Sequence, residues 1–188
     1  MTTTSRKIYQ IKIGLNDAKP PIWRRVLLDS SVSLSKFHDI IQIVMGWTDS
    51  HLHQFRAGET YYGIPDPNID FMETLDERRY KLNHLLKKEK ESIRYEYDFG
   101  DSWDHKITLE KVLPFDPAAT LPHCIKGKGA CPPEDVGGIF GYYDFIAAVS
   151  DPTHPDHADR TEWVGGDFDP DLYNIDEVNA LLLKHCKA

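Results

Sequence analysis

The residues best suited to chemistry in this sequence lie in two short segments, WTDSHLH at 47–53 and YEYDFGDSWDH at 95–105. In the first segment, His51 and His53 are two positions apart, and on a strand such residues point to the same face of the sheet. Two imidazoles on one face can ligate a metal ion or act as proton donor and acceptor. The alternative is a pair of half-buried histidines that hydrogen-bond to neighbouring backbone.

The second segment holds more ionisable and aromatic side chains than a hairpin turn requires. A turn accounts for Gly100 and one aspartate, because Asp bonds to its own backbone and tolerates the left-handed conformation. It does not account for Trp103 and His105. We therefore predict that the two segments meet and form a ligand-binding cleft. Its expected lining residues are Trp47, His51, His53, Tyr97, Asp98, Asp101, Trp103 and His105.

Other cofactor and nucleophile motifs are weak. The segment CPPEDVGGIFGYYDF lacks the Lys and the Ser or Thr of a phosphate-binding loop, and there is no G-x-S-x-G motif. Cys124 and Cys131 are spaced too widely for a zinc knuckle, so we expect unpaired thiols there. We expect no resident cofactor and no metal. If a divalent ion does bind, its expected ligands are His51, His53, Asp101 and His105.

The elements that must position these residues follow from hydrophobic periodicity. Period-two alternation predicts strands at 8–15, 22–29, 51–57, 60–64, 92–99 and 105–113. Apolar residues at three- and four-residue steps predict a helix over 34–45, with Ser33 as N-cap and Gly46 as its end. We interpret residues 64–74 as loop and 114–138 as a long Pro- and Gly-rich irregular stretch, and expect helices towards the C-terminus.

These elements predict an α+β fold: one domain over residues 1–188, with a core at about 8–183. The sheet is expected to be mostly antiparallel, with about five or six strands and the 34–45 helix packed on one face.

Composition narrows the class of partner. The chain has 188 residues, 40% of them hydrophobic and 28% charged, with a formal net charge of −8. This composition is typical of a globular domain, and the negative charge makes nucleic acid an unexpected partner. We find no signal peptide and no apolar run long enough for a membrane span, so we expect a cytoplasmic protein without membrane association. The oligomeric state cannot be inferred from the sequence.

Several unusual segments occur together in an order that resembles a known family. They are KPPIWRRV, FHDIIQIVMGWTDSHLHQF, YEYDFGDSWDHKITLE, CIKGKGACPPEDVGGIFGYYDF, DPTHPDHADRTEW and FDPDLYNIDEVNALL. The family is that of the plasmid pRiA4b Orf-three-like proteins, and the resemblance covers about residues 8–183. It implies a single α+β domain of a cytoplasmic, microbial protein. It implies no biochemical activity, although some members are described in connection with mobile elements.

Three functions remain open on the sequence alone. The first is a binding or interaction domain whose aromatic, His- and Asp-lined cleft receives a protein segment or a small ligand. The second is a metal-dependent hydrolase that uses the same His and Asp residues. The third is a mobile-element or DNA-associated protein. No obvious nucleophile is present, which favours the first, and whether the protein is an enzyme stays undecided.

Overall fold

The computed structural model describes residues 6–66 and 73–186. In this part of the chain, strands of alternating polar and apolar residues form one large sheet. Together with the helices it makes a mixed α+β single domain. The strands are Lys7–Leu15 (β1), Trp23–Asp29 (β2), His53–Ala57 (β3), Thr60–Gly63 (β4), Thr74–Asp76 (β5), Ser92–Tyr97 (β6), Trp103–Pro114 (β7) and His123–Lys128 (β8). The α-helices are Leu34–Met45 (α1), Leu82–Leu85 (α2), Gly138–Ser150 (α3), His157–Val164 (α4) and Ile175–His185 (α5).

The strand order is β5-β4-β3-β6-β7-β1-β2-β8, and every neighbouring pair is antiparallel except β4 and β5. The α+β fold and the mostly antiparallel sheet are therefore confirmed. The predicted number of strands was wrong, because the sheet has eight strands and not five or six.

The two strands that the sequence analysis missed are β5 and β8. β5 has three residues, too few for a period-two pattern, and begins at the end of the predicted loop 64–74, of which residues 67–72 lie outside the described part. β8 lies inside the stretch 114–138, and its register with β2 shifts between Arg25 and Val26. Such a bulge interrupts the alternation that identifies a strand.

Helix α1 covers the inner face of the sheet, by which we mean the face that carries the core. The Ser33 side chain accepts a hydrogen bond from Lys36 N at 3.2 Å, and Gly46 ends the helix with φ 112°, a left-handed conformation that suits glycine. The predicted caps are thus confirmed. The core-facing residues predicted for this helix are buried: Leu34, Phe37, Ile41 and Val44.

The remaining helices follow the sheet along the chain. Leu82–Leu85 is a single helical turn. Tyr142 and Phe145 of α3 and Leu182 of α5 join the same hydrophobic core as α1. No helix in residues 6–66 and 73–186 has both the length and the apolar composition needed to cross a bilayer.

Candidate functional site

Two stacked histidines lie where α1 crosses the start of β3. The rings of His38 and His53 are nearly parallel, with centroids 3.5 Å apart. His38 Nε2 donates to Asp49 Oδ1 at 2.9 Å, and the Tyr95 hydroxyl donates to His38 Nδ1 at 2.8 Å. Burial, reinforced by the neighbouring His53, lowers the pKa of His38, so this imidazole is neutral near pH 7. We call His38 and His53 the histidine pair.

The second member of the histidine pair has its own carboxylate. His53 Nε2 donates to Glu77 Oε2 at 2.9 Å, and the Glu77 side chain is 2% exposed. Glu77 begins the 3₁₀ turn Glu77–Arg79, which Asp76 caps by accepting from Arg78 N. A buried imidazole hydrogen-bonded to a carboxylate is a common acid–base arrangement in proteins.

His51 lies in a second group of ionisable residues, directly before β3. Its Nε2 makes no hydrogen bond to any described residue, although three carboxylates surround it. The distances are 3.2 Å to Asp135 Oδ1, 3.6 Å to Asp98 Oδ2 and 3.7 Å to Glu134 Oε2. We call these three acidic residues with His51 the carboxylate cluster. Its members come from three separate parts of the chain, so the cluster exists only in the folded protein.

Backbone geometry directs the carboxylates of the cluster towards His51. Asp98 has φ 57°, and its N–H donates to Leu52 O at 2.8 Å, which ties the β6–β7 turn to the segment before β3. Gly100 N donates to Asp98 Oδ1 at 2.9 Å, so the other oxygen, Oδ2, is the one that faces His51. Asp135 also has positive φ, 56°.

Asp101 fastens the same turn to the start of α3. Its Oδ2 accepts from Gly137 N at 3.0 Å. At Gly138, φ is +68° and a Cβ would lie 2.6 Å from Asp101 O, so only glycine allows this approach. This contact places the loop that carries Glu134 and Asp135 against the turn that carries Asp98.

Glu134 is held by groups other than His51. Thr48 N donates to Glu134 Oε1 at 2.9 Å, and the Tyr97 hydroxyl donates to the same oxygen at 3.1 Å. Burial raises the pKa of Tyr97, and the negative charge of Glu134 adds to the effect. Tyr97 is therefore a neutral donor that orients this carboxylate.

A cavity of about 320 Å³ borders the histidine pair and the His51 end of the carboxylate cluster. His51 and both members of the histidine pair line it, as do Asp49 and Glu77. Its apolar walls are Leu52, Ile64 and Phe99. The cavity thus combines apolar surface with a few polar groups, which is typical of a ligand pocket. We call it the cleft.

The structure brings the two predicted segments together, but it separates the predicted residues into different roles. Of the eight, only His51 and His53 line the cleft. Asp98 faces His51, and Asp101 bonds to the start of α3. The four remaining residues are aromatic and lie on the inner face, where Trp47 contacts the other three at centroid distances of 4.9 to 6.0 Å: Tyr97, Trp103 and His105.

The expected four-ligand set is likewise divided. β3 begins at His53, so strand alternation does not govern His51, and the two histidines join different groups. Among the described residues, the two groups of His and Asp side chains with suitably close atoms contain neither Asp101 nor His105. These groups are His38 with Asp49 and His53, and His51 with Asp98 and Asp135.

Sequence reasoning missed His38, Asp49, Glu77, Glu134 and Asp135 as site residues. His38 was recognisable as a histidine next to the apolar stripe of α1, and Asp49 lies within the predicted segment 47–53. Glu77, Glu134 and Asp135 meet the histidines only through packing of distant parts of the chain. The cysteines lie elsewhere: Cys124 Sγ is 3.2 Å from the Tyr173 hydroxyl, and burial raises the pKa of Cys131.

A larger cavity of about 710 Å³ lies between α1 and the loop 115–122. Within the described ranges, the carboxylates that line it are Asp29, which is already paired with Arg6, and Asp116. No histidine of the described residues lines it, so the smaller cleft is the stronger candidate for chemistry.

Comparison with known proteins agrees with this mixed α+β architecture. The family model described as plasmid pRiA4b ORF-3-like protein matches residues 7–177, and the chain belongs to this family. It is 37% identical over 174 residues to the uncharacterized protein y4hQ of Sinorhizobium fredii (strain NBRC 101917 / NGR234), covering 92% of this chain and 89% of that protein.

A solved structure is also similar over nearly the whole chain. The crystal structure of the protein of unknown function MM3350 from Methanosarcina mazei Go1 superposes with a TM-score of 0.82 at 32% identity. The match covers 93% of this chain and 98% of that chain. Neither relative's name states an activity, so function must be argued from the site.

Proposed function

We propose that this protein is a binding domain that holds a divalent metal ion at the carboxylate cluster, whose His51 also lines the cleft. The observation that carries the proposal is His51 Nε2, which has no hydrogen-bond partner among the described residues although three carboxylates lie within 3.7 Å. If these side chains paired with one another, His51 Nε2 would donate a hydrogen bond to a carboxylate. Ligands of a metal ion instead direct their atoms at a common point between them.

The distances fit such a point. Two ligand atoms bound to one tetrahedral ion at about 2.1 Å lie about 3.4 Å apart. His51 Nε2 is 3.2 Å from the Asp135 oxygen and 3.6 Å from the Asp98 oxygen, and all three atoms lie within 4.8 Å of one another. Imidazole with carboxylates suits zinc, manganese or iron.

Charge supports the same proposal. Three carboxylates in one place repel one another unless a cation is present. Within the described residues, no lysine or arginine forms an ion pair with Asp98, Glu134 or Asp135. A divalent cation supplies the missing positive charge, and Tyr97 and Thr48 keep Glu134 in place beside it.

The test is metal titration of protein made without a histidine tag and stripped with a chelator. We expect calorimetry with zinc and with manganese to show one ion per chain. His51→Ala and Asp98→Asn should each weaken binding at least about tenfold, because even outer partners of metal ligands are typically worth that much. His123→Ala removes an exposed histidine on β8 and is the matched control.

Two results would contradict the proposal. One is the absence of binding at millimolar metal, and the other is unchanged affinity in His51→Ala. If His53→Gln abolishes binding and His51→Ala does not, the ion belongs to the group formed by His38, Asp49 and His53 instead.

A second candidate function is metal-dependent hydrolysis. The observation that favours it is the hydrogen-bonded pair of His53 and Glu77, which lines the same cleft as His51. His51, Asp98 and Asp135 would hold the ion, which would supply Lewis-acid activation of a water molecule. His53, oriented by Glu77, would then be the group positioned to accept a proton in the cleft.

Hydrolysis is measured on the same metal-loaded samples with activated ester and phosphodiester substrates. If the protein is a hydrolase, Glu77→Gln should lower kcat by at least about 100-fold, in the range of a lost general base, while metal affinity stays within a few fold. Tight metal binding without turnover of any substrate would reject the hydrolase and retain the binding domain as the proposed function.

A further inference from the structure

The outer face of the sheet carries rows of basic side chains. The outer face is the one opposite the core, and its residues alternate with the buried ones along each strand. Arg56, Arg94 and Lys106 are direct cross-strand neighbours on β3, β6 and β7. The same row continues through Gly14 and Trp23 to its last member, Lys128 on β8.

A second row runs parallel to the first. It connects Thr108 of β7 with Lys12, Arg25 and Lys126 on the next three strands. Neighbouring strands lie about 4.8 Å apart, so directly paired basic residues are about 5 Å apart, whereas Lys106 and Lys128 of the first row are three strand spacings, about 14 Å, apart.

Aromatic rings lie among these cations. The Trp23 ring has Lys12 Nζ 5.3 Å and the Arg25 guanidinium 5.0 Å from its centroid. The Arg56 guanidinium lies 5.4 Å from the Tyr61 ring centroid. Both rings are partly exposed. Five strand spacings separate β4 from β2, so the rings are about 24 Å apart along the strand order.

The carboxylates on this face only partly neutralise it. Each arginine of the rows has a carboxylate partner: Arg94 pairs with Asp104, Arg25 with Glu110 at 2.6 Å and Arg56 with Glu59 at 3.1 Å. Within residues 6–66 and 73–186, Lys106, Lys126 and Lys128 form no ion pair, and all three are exposed. A chain with a formal net charge of −8 therefore has a locally basic face. The net charge alone did not predict this basic face.

A shallow cavity of about 240 Å³ opens on the face beside Tyr61, and Arg56 and Arg94 contribute to its lining. Glu96 and Asp104 line it as well, so two guanidinium groups, two carboxylates and one ring surround the cavity. This mixture of donors and acceptors beside a ring suits a planar nucleic-acid base.

We propose that the outer face binds single-stranded nucleic acid. The basic rows contact successive phosphates, and unstacked bases pack on Trp23 and Tyr61. A duplex would satisfy the cations but hide its bases from the rings. A membrane of anionic lipids would use the cations alone and leave the rings and the cavity without a role. The span between the rings accommodates about four nucleotides or more.

The test is fluorescence anisotropy of the full chain with a labelled twelve-nucleotide oligothymidylate, over a range of salt concentrations. We expect binding that weakens with salt. In Lys106→Gln with Lys128→Gln, the slope of log K against log salt should fall by about 0.7 for each phosphate that the protein no longer neutralises. Trp23→Ala and Tyr61→Ala should each weaken binding about 5- to 100-fold without changing that slope.

Lys184→Gln is the matched control, because it removes an exposed lysine from α5, which packs with α1 and β8. His51→Ala should bind oligothymidylate normally, so failure of the metal proposal leaves this one standing. Circular dichroism verifies that each variant is folded. The proposal is overturned by absence of binding at about 50 mM salt. Equal losses in Lys184→Gln, or binding to phosphatidylserine vesicles without binding to the oligonucleotide, overturn it too.

Discussion

At the scale of single residues, His105 is a histidine that the sequence placed in the ligand cleft but that has a structural role in the core. It is fully buried on the inner face, where its Nδ1–H donates to Tyr95 O at 3.2 Å and its Nε2 has no hydrogen-bond partner among the described residues. Burial lowers the pKa of His105 to about 4, so the imidazole is neutral at pH 7. Its edge-on contact with Trp47 makes it part of the aromatic core.

Neutral burial of His105 predicts a pH dependence of stability. Its pKa is about 4 in the folded protein and about 6.5 in the unfolded chain, so the unfolded state binds more protons between these values. The contribution of neutral His105 to the free energy of unfolding is fully present above pH 6.5. It is lost as the pH falls towards 4, by up to about 3 kcal/mol. Urea denaturation at several pH values measures this.

His105→Gln should unfold with a shallower dependence on pH in this window than the wild-type protein, whatever its absolute stability. His123→Gln, which changes an exposed histidine, should retain the wild-type dependence. Identical slopes for wild type and His105→Gln would show that His105 is not the titrating group.

The residue scale also shows what local sequence can predict about a site. The convergence of segments 47–53 and 95–105 was predictable, because each had more polar and aromatic side chains than its local structure needed. Glu134 and Asp135 were not, since they reach His51 from a loop far along the chain. Such partners depend on packing of the whole fold, and no local pattern encodes that.

At the scale of elements, α1 was predictable to its ends because its capping residues and its apolar stripe agree with one another. Strand β8 was not, because a bulge interrupts its alternation and its sequence, HCIKGK, is rich in polar residues and glycine. Its position is stabilised from outside the strand: the Asn179 side chain of α5 accepts from Cys124 N at 2.8 Å and donates to Cys124 O at 2.9 Å.

The packing of α1 predicts the cost of removing side chains from it. Ile41 is 0% exposed in the main core, so Ile41→Ala should lower the free energy of unfolding by about 2–5 kcal/mol. Ile43 is on the same helix but only partly buried, so Ile43→Ala is a chemically matched control with a smaller expected loss. Equal losses in the two variants, measured by urea denaturation, would refute this packing.

At the scale of the whole molecule, one sheet separates two kinds of surface. Along β6 and β7, alternate residues face the aromatic core beside the carboxylate cluster, and the residues between them form the basic outer face. The net charge of −8 is a sum over both surfaces and describes neither. A class of binding partner inferred from net charge therefore reflects the average surface of the molecule, whereas binding depends on how the charge is distributed over that surface.

The order of the strands leaves this open sheet with two ends, β5 and β8. Unpaired backbone at the end of a sheet is a template on which another chain can add a strand. Here β5 has only three residues, and β8 carries Lys126 and Lys128 beside a register shift. Short length, lysine and local twist all discourage such addition. The same lysines that extend the basic rows thus also protect the protein against aggregation through its sheet.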